Sequence, residues 1–565
     1  MYISTETFSL ESYVKRNLNY LNNMVDKDNV PYFHVFWTEP AEAAHDWPDL
    51  TDVMARQLQA AVMLQEMTGE TARLERIWTN KILDMIDKKT GLVHRKETNY
   101  CTSKVEMGCY ALIIYMLVTL YQKYKSTEIK DIIDKMAASL FRIYKTDYAH
   151  EELQFSYGFI IKGLMSAFRF AGSSIAFEFA KELVKIVKES KLFTPDNTFK
   201  HGGHMHGNLR TLMGLADYAL YMGDAVLYSR VCSIFEYVSS ITTSFGFLPE
   251  VVGRKGDIVS CETCALMDYI GLGVTLANGG HPEYWDRIER MVRNHLVESQ
   301  ISDVSWLKSD GSRQDTHQFT WDRVGERMIG GYAGWSSPTH ILAACETLTM
   351  WGGEELRNKT RAFQNCCGGS GTHAFYIAWK NAAIFKDGCL YINLYFDKLL
   401  NEAEIRCFEP YKGEVRIMLK RDCNVRIRIA DHIDRQTIKV TKNSEIIEPV
   451  IFGNYLELNQ CAAGDTVVFS YDLNAYEEEV EIGNDGFLKY RYRVKWRGST
   501  VTELIPIGNE YKTVYSDFDK RHVPVFYGEE GPGRLYLGRN NFDKCKPTLS
   551  TINLDSGEGN FWNLV

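Results

Sequence analysis

The stretch LRTLMGLADYALYM, residues 209–222, is followed directly by Gly223. Its apolar residues recur at helical spacing, and a glycine just past the last turn is typical of a left-handed C-cap. The stretch Met54–Met67 has the same spacing and is followed, one residue on, by Gly69. Both stretches therefore predict amphipathic helices that end at a glycine.

Similar amphipathic segments recur along the first 350 residues and predict roughly ten to twelve helices with short connections. No strict sequence period links them, which argues against a solenoid. Paired helices in this number favour an (α/α)6 barrel of six inner and six outer helices, with loops that form a cleft at one end. The further segments are Glu106–Tyr124, Ile129–Tyr144, Ser156–Phe170, Ser174–Lys188, Val226–Ser239, Ala265–Ala277, Pro282–Leu296 and Thr339–Met350.

The pattern changes after about Ala382. Short runs such as Glu414–Leu419 and Thr466–Tyr471 alternate apolar and polar residues between turn signals, which is typical of strands. We expect a mainly α protein with appended β structure, an (α/α)6 barrel followed by one or two β-sandwich domains. The predicted divisions are residues 1–380 for the barrel, 381–475 for a β-sandwich, and 476–565 for a second small β domain or an extension of the sandwich.

Charge, apolar run length and cysteine usage argue against several classes of partner and of cellular location. The formal net charge of −9 argues against nucleic acid and anionic membranes. The longest apolar run, near Cys109–Tyr121, is too short for a bilayer span of about 20 residues. The N-terminal residues lack the pattern of a secretory signal, and the 13 cysteines lack disulfide-scaffold spacing. We therefore expect a cytoplasmic protein with reduced thiols.

Two cysteine clusters concentrate the reactive groups of the chain. Cys261-Glu262-Thr-Cys264 and Cys366-Cys367-Gly-Gly lie about a hundred residues apart and offer soft thiolates and one carboxylate. Glu262 and Cys264 can share one metal only in a loop or at a helix start, and the apolar run after them predicts a helix start. Glu262, Cys264, Cys366 and Cys367 would complete a tetrahedral metal site, with Cys261 as a competing ligand. The alternative is a group of buried free cysteines.

A histidine cluster and one glutamate are further candidates. His201, His204 and His206 are flanked by glycines just before the 209–222 helix. They could hold the hydroxyls of a ligand or a second metal; the alternative is a solvated loop. Glu250 follows the apolar run Phe-Gly-Phe-Leu-Pro, where a carboxyl can keep a raised pKa suited to a general acid. The alternative for Glu250 is an ordinary surface residue.

Taken together, these motifs resemble glycoside hydrolase family 127, the bacterial β-L-arabinofuranosidases, and its close or divergent relatives. Glu262-Thr-Cys264-Ala resembles the metal motif of that family, and Cys366-Cys367 resembles its cysteine pair. His206-Gly-Asn and the strand from Cys389 are also similar to stretches of the family. The match covers roughly residues 40–475 in patches.

The resemblance implies an (α/α)6 barrel with β-sandwiches and one Zn²⁺ per chain, held by Glu262, Cys264, Cys366 and Cys367. It implies that Cys366 is the nucleophile and Glu250 the acid/base of a retaining, exo-acting glycosidase. The substrate would be a small oligosaccharide or glycoside with a terminal β-L-arabinofuranoside-like sugar, bound by His201, His204 and His206. Barrels of this kind often form homodimers through their β domains.

Two other functions fit the same residues. One is a metal-independent uronide hydrolase or sugar isomerase on the same barrel, which would use the histidines and carboxylates. The other is a non-catalytic carbohydrate-binding or structural zinc protein, although structural zinc sites are usually closed by Cys and His rather than Glu.

Overall fold

The fold is taken from a computed structural model of the chain. It describes residues 2–3, 7–36, 38–146, 153, 156–199, 203–252, 260–309, 312–341, 361–483, 489–507, 511–515, 522–526, 535–536 and 550–551.

Thirteen α-helices lie within these residues. In chain order they are α1 Leu10–Asn23, α2 Met54–Thr68, α3 Glu75–Asp84, α4 Met107–Tyr124, α5 Thr127–Thr146, α6 Tyr157–Ala171, α7 Ser174–Glu189, α8 Met205–Met222, α9 Ala225–Ser240, α10 Thr263–Asn278, α11 Tyr284–Met291, α12 Val324–Met328 and α13 Cys366–Ala382. Single π-helical turns precede α2 at Asp49–Val53 and extend α11 at Val292–Leu296.

Six of these helices form a closed inner ring. Each of α2, α4, α6, α8, α10 and α13 packs against the next, and α13 packs back against α2. The helices α1, α3, α5, α7, α9 and α11 pack on the outside of the ring. This arrangement confirms the predicted (α/α)6 barrel. No helix in the described part of the chain is long and apolar enough to cross a membrane.

The predicted glycine caps are also present. Gly69 ends α2 with φ 76° and Gly223 ends α8 with φ 66°, both in the left-handed region. The start of α10 at Thr263 makes Glu262 its N-cap, as the spacing of Glu262 and Cys264 required. The predicted helix Thr339–Met350 falls mostly on residues 342–350, which lie outside the described residues.

Two sheets that share one apolar core follow the barrel and form the predicted β-sandwich. One has six strands, in the spatial order Glu445–Ile446, Lys439–Lys442, Thr466–Ser470, Glu414–Leu419, Ala403–Cys407 and Lys398–Leu399. The other has five, in the order Val450–Phe452, Tyr455–Cys461, Cys423–Arg428, Cys389–Ile392 and Ala383–Lys386.

The remaining described strands form smaller sheets. The antiparallel sheet Ala475–Gly483, Lys489–Arg497 and Thr500–Pro506 places Val494, Trp496 and Val501 in the same apolar core as the helices. A four-stranded sheet at the barrel end has the order Phe319–Thr320, Glu42–Ala44, His34–Phe36 and Arg361–Gln364, and leads directly into α13. Two-stranded pairs are Tyr2–Ile3 with Ser550–Thr551 and Tyr511–Tyr515 with His522–Phe526.

Three glycines allow helix α13 to approach its neighbours closely enough to close the ring. A methyl group on Gly368 would collide with the Tyr20 ring, and one on Gly371 would collide with the Tyr332 ring. A methyl group on Gly369 would lie 2.8 Å from the backbone oxygen of Arg56 in α2. These glycines are helical, so close approach rather than an unusual backbone conformation requires them.

We predict that Gly371→Ala lowers the stability of the protein by about 1–3 kcal/mol, because overpacking against Tyr332 has no easy relief. Alanine in a helix is otherwise better than glycine by about 0.5–1 kcal/mol, so the sign of the effect is diagnostic. The control is Gly271→Ala in α10, whose methyl group meets the flexible tip of Met213. Thermal unfolding followed by circular dichroism measures both, and an unchanged or raised melting temperature for Gly371→Ala would contradict the prediction.

Candidate metal centre and active site

The N-terminal ends of three inner helices meet at one place. Cys366 and Cys367 are the first two residues of α13, Cys264 is the second residue of α10, and His206 is the second residue of α8. Helix N-termini carry a partial positive charge that stabilises nearby anions. The fold therefore brings thiols from two separate helices together at the positive ends of those helices.

The three thiols form a compact buried cluster. The Sγ of Cys264 lies 3.3 Å from that of Cys367 and 3.8 Å from that of Cys366, and the Sγ atoms of Cys366 and Cys367 are 4.0 Å apart. The Cys367 thiol lies 3.9 Å from Oε1 of Glu262. Thiolates bound to one tetrahedral ion such as zinc, at about 2.3 Å each, stand about 3.8 Å apart. Glu262 and the three cysteines are thus placed to hold a metal ion.

The surroundings of the three thiols shift their pKa values in different directions. Hydrogen bonds from the Cys264 and Cys367 thiols lower the pKa of Cys366 to about 6. Burial raises the pKa of both Cys264 and Cys367 above the ordinary value of a thiol. The residues of the cluster by themselves therefore favour one thiolate, on Cys366.

A second group of side chains adjoins the cluster through Glu262. The Nε2 of His204 lies 3.1 Å from Oε2 of Glu262 and 3.8 Å from Oε1 of Glu250. The backbone holds Glu250 there, since its carbonyl accepts a hydrogen bond from Met205 N–H and its N–H donates to Ser260. Burial and the nearby charge of Glu262 raise the pKa of Glu250 to about 7. A carboxyl with this pKa can both donate and accept a proton near neutral pH.

The Glu250 carboxyl is oriented by two donors. Trp335 Nε1–H donates to Oε1 over 2.9 Å, and Ser260 Oγ–H donates to Oε2 over 2.7 Å. Sequence analysis did not connect either residue with Glu250, because Trp335 is 85 residues away and no local pattern marks Ser260 as a partner.

On the other side of the cluster lies an arginine that sequence analysis missed. The Nη1 of Arg56 lies 3.6 Å from Sγ of Cys264 and 3.3 Å from Oγ of Ser370. Asp52 pairs with its Nε over 2.5 Å, and His206 accepts a hydrogen bond from its Nη2 over 3.0 Å. Arg56 is the one basic residue of the predicted helix Met54–Met67, and this was the available signal.

The predicted histidines have different places. His204 contacts Glu262 and lies near Glu250, whereas both ring nitrogens of His206 are engaged by Arg56 and Asp268. His201 lies outside the described residues.

The competing ligand Cys261 is not part of the cluster. Its backbone pairs with Ser336 in both directions, and burial raises the pKa of its thiol. Asp268 was a further residue that sequence analysis missed. It stands four residues after Cys264, on the same face of α10, and this spacing could have identified it.

The fold was compared with known proteins. No protein-family profile and no curated protein sequence matches the chain. A solved structure described as a glycoside hydrolase is similar, with a TM-score of 0.58 and 15% identity over 85% of each chain.

Two solved structures of family 127 are also similar. Ara127N, a GH127 β-L-arabinofuranosidase from Geobacillus stearothermophilus T6, aligns with a TM-score of 0.55 and 15% identity over 87% of this chain and 80% of its own. A second GH127 β-arabinofuranosidase aligns with a TM-score of 0.56 and 15% identity over 87% of this chain and 79% of its own. At the level of fold, the comparisons confirm the resemblance to glycoside hydrolase family 127.

Proposed function

We propose that the protein is a retaining glycoside hydrolase that removes a terminal sugar, with Cys366 as nucleophile and Glu250 as acid/base. The observation that carries this proposal is the buried thiol cluster beside a glutamate whose pKa is raised to about 7. The (α/α)6 fold shared with solved glycoside hydrolases supports it.

The proposed cofactor is one zinc ion held by Glu262, Cys264, Cys366 and Cys367. Two observations support the fit. The donor atoms lie within 4.8 Å of one another, and two of the three sulfur separations, 3.8 and 4.0 Å, are close to the spacing of about 3.8 Å in a tetrahedral thiolate site. When bound, zinc would keep the thiols deprotonated at neutral pH.

Cys366 and Glu250 have different roles in the first step of the proposed reaction. The Sγ of Cys366 attacks the anomeric carbon, and the bond from that carbon to the leaving oxygen breaks. Glu250 gives its proton to the leaving oxygen, so that the aglycone departs as an alcohol and a thioglycosyl-enzyme remains.

Hydrolysis of this intermediate reverses the roles. The Glu250 carboxylate takes a proton from water, whose oxygen attacks the anomeric carbon as the C–S bond breaks and its electron pair returns to Cys366. Two displacements at the same carbon give net retention of configuration.

The sugar is proposed to resemble a β-L-arabinofuranoside, because the two named family 127 neighbours are arabinofuranosidases. His204 lies between Glu250 and Glu262 and is about one fifth exposed, so it is placed to contact a sugar hydroxyl beside the acid/base.

We predict that the reduced, purified protein contains about one zinc per chain, and that Cys264→Ser and Cys367→Ser lose it or bind it more weakly. The control is Cys261→Ser, which removes a buried thiol close in sequence but outside the cluster. Elemental analysis of the folded proteins measures the zinc. A metal-free wild type whose activity on sugars survives and depends on His204 or His206 would instead favour the metal-independent uronide hydrolase or sugar isomerase.

We also predict a pH dependence of kcat/KM on an alkyl β-L-arabinofuranoside. Glu250 must be protonated to assist a poor leaving group, so the rate should fall as pH rises through about 7. Glu250→Gln should lower the rate by about 10²–10⁴-fold and abolish this decline.

The control for leaving-group assistance is a dinitrophenyl glycoside of the same sugar. Its leaving group needs no proton, so Glu250→Gln should affect the glycosylation step much less. Equal losses on both substrates, or an unchanged alkaline decline in the variant, would remove Glu250 from the acid role.

A further inference from the structure

The sulfurs of the cluster have unequal polar surroundings. Cys264 lies within reach of Nη1 of Arg56, at 3.6 Å, and of Oγ of Ser370, at 3.3 Å. Within the described residues, the hydrogen-bond contacts of the Cys366 sulfur are those with the other two sulfurs. A guanidinium that donates a hydrogen bond to a thiolate lowers the energy of the sulfur lone pairs. The thiolate is then a weaker nucleophile, and its position is fixed by the hydrogen bond.

The charge of the site requires such a cation. Three thiolates and one carboxylate around a divalent ion leave two negative charges in a buried position, which is unfavourable unless they are paired. Arg56 carries a permanent positive charge and is itself buried, at 7% exposure. Its charge offsets part of that excess, and its Nη1 group donates a hydrogen bond to Sγ of Cys264.

A chain of polar contacts fixes the position of Arg56. Asp52 receives two hydrogen bonds from it, at 2.5 Å from Nε and 3.3 Å from Nη2. The Nη2 group also donates to Nε2 of His206 over 3.0 Å. Because guanidinium only donates, Nε2 of His206 must accept, and the Nδ1–H of this histidine must donate to Asp268, 2.5 Å away.

The carboxylate of Asp268, which accepts the hydrogen bond from His206, is held by a second donor as well. Arg210 Nη1 donates to the second oxygen of Asp268 over 3.2 Å, so this carboxylate is held from two sides. The four side chains around Arg56 all belong to inner helices or to the turn that precedes α2; they are Asp52, His206, Arg210 and Asp268. The rigid part of the barrel therefore sets where the guanidinium points.

We propose that Arg56 is the counter-ion of the metal-binding thiol cluster: held by Asp52 and by the His206–Asp268 pair, it anchors Cys264 as a fixed ligand and leaves Cys366 as the reactive sulfur. This proposal rests on the proposed function, because it assigns unequal roles to the sulfurs of that site. It makes Arg56 a positioning residue rather than a catalytic one, and it gives His206 a part in holding Arg56.

The test uses the full chain and needs no glycoside. Wild type, Arg56→Met and Arg56→Lys are loaded with Co²⁺ under reducing conditions, and the sulfur-to-cobalt charge-transfer band is recorded. Loss of the cation should shift this band to longer wavelength in Arg56→Met, with a smaller shift in Arg56→Lys. Zinc affinity from chelator competition should fall by about 10–100-fold in Arg56→Met and be partly recovered in Arg56→Lys.

Two further variants make the test decisive. Arg169→Met removes a half-exposed cation that pairs with Asp217 in the same barrel, and it should change neither the band nor the affinity. His206→Asn removes the acceptor for Nη2 while Arg56 keeps its charge, and it should give a smaller shift in the same direction. If circular dichroism shows that Arg56→Met does not fold, the band shift of His206→Asn tests the proposal in its place.

The outcomes separate this proposal from the proposed function. An unchanged band and affinity in the folded Arg56 and His206 variants would overturn the role of Arg56 and leave the hydrolase proposal standing. The predicted shifts in a protein that turns over no glycoside would support Arg56 as counter-ion and contradict the hydrolase. A wild type that binds neither Co²⁺ nor zinc would overturn both.

Discussion

The site depends on the close approach of α13 to α1 and α2. Gly368 lies against the Tyr20 ring and Gly369 against the backbone of Arg56, so the first turn of α13 lies deeper in the barrel than larger side chains would allow. That approach places Cys366 and Cys367 beside Cys264 of α10 and brings Ser370 to the guanidinium of Arg56. Without it, the ring would not close at the point where the sulfurs meet.

Burial then determines the chemistry of the groups that the ring brings together. It raises the pKa of Glu250 toward neutrality and of the Cys264 and Cys367 thiols above their ordinary range, while sulfur hydrogen bonds lower that of Cys366. The surroundings thus distinguish Cys366 from the other two thiols of the cluster, and Glu250 from an ordinary exposed carboxyl. Glu262 links the two groups, because one oxygen faces Cys367 and the other faces His204.

Much of the fold could be predicted from sequence. The glycine-capped helices ending at Gly69 and Gly223, the helix start at Glu262 and the alternating strands after Ala382 are local signals, and the structure confirms them. Helix α13 could not be predicted in this way, since its three glycines oppose helix formation and only contacts with Tyr20, Tyr332 and the backbone of Arg56 explain them. The same limit applies to Arg56 and Trp335, whose partners are distant in sequence.

The central claim is that Cys366 forms a covalent bond with the sugar. The most direct measurement is mass spectrometry of the intact, zinc-loaded Glu250→Gln variant after brief reaction with the dinitrophenyl β-L-arabinofuranoside, followed by peptide mapping. Glycosylation would proceed and hydrolysis would stall in this variant, so we expect one added pentosyl group located on Cys366. Glycoside turnover without any adduct, undiminished when Cys366 is replaced by serine, would contradict it.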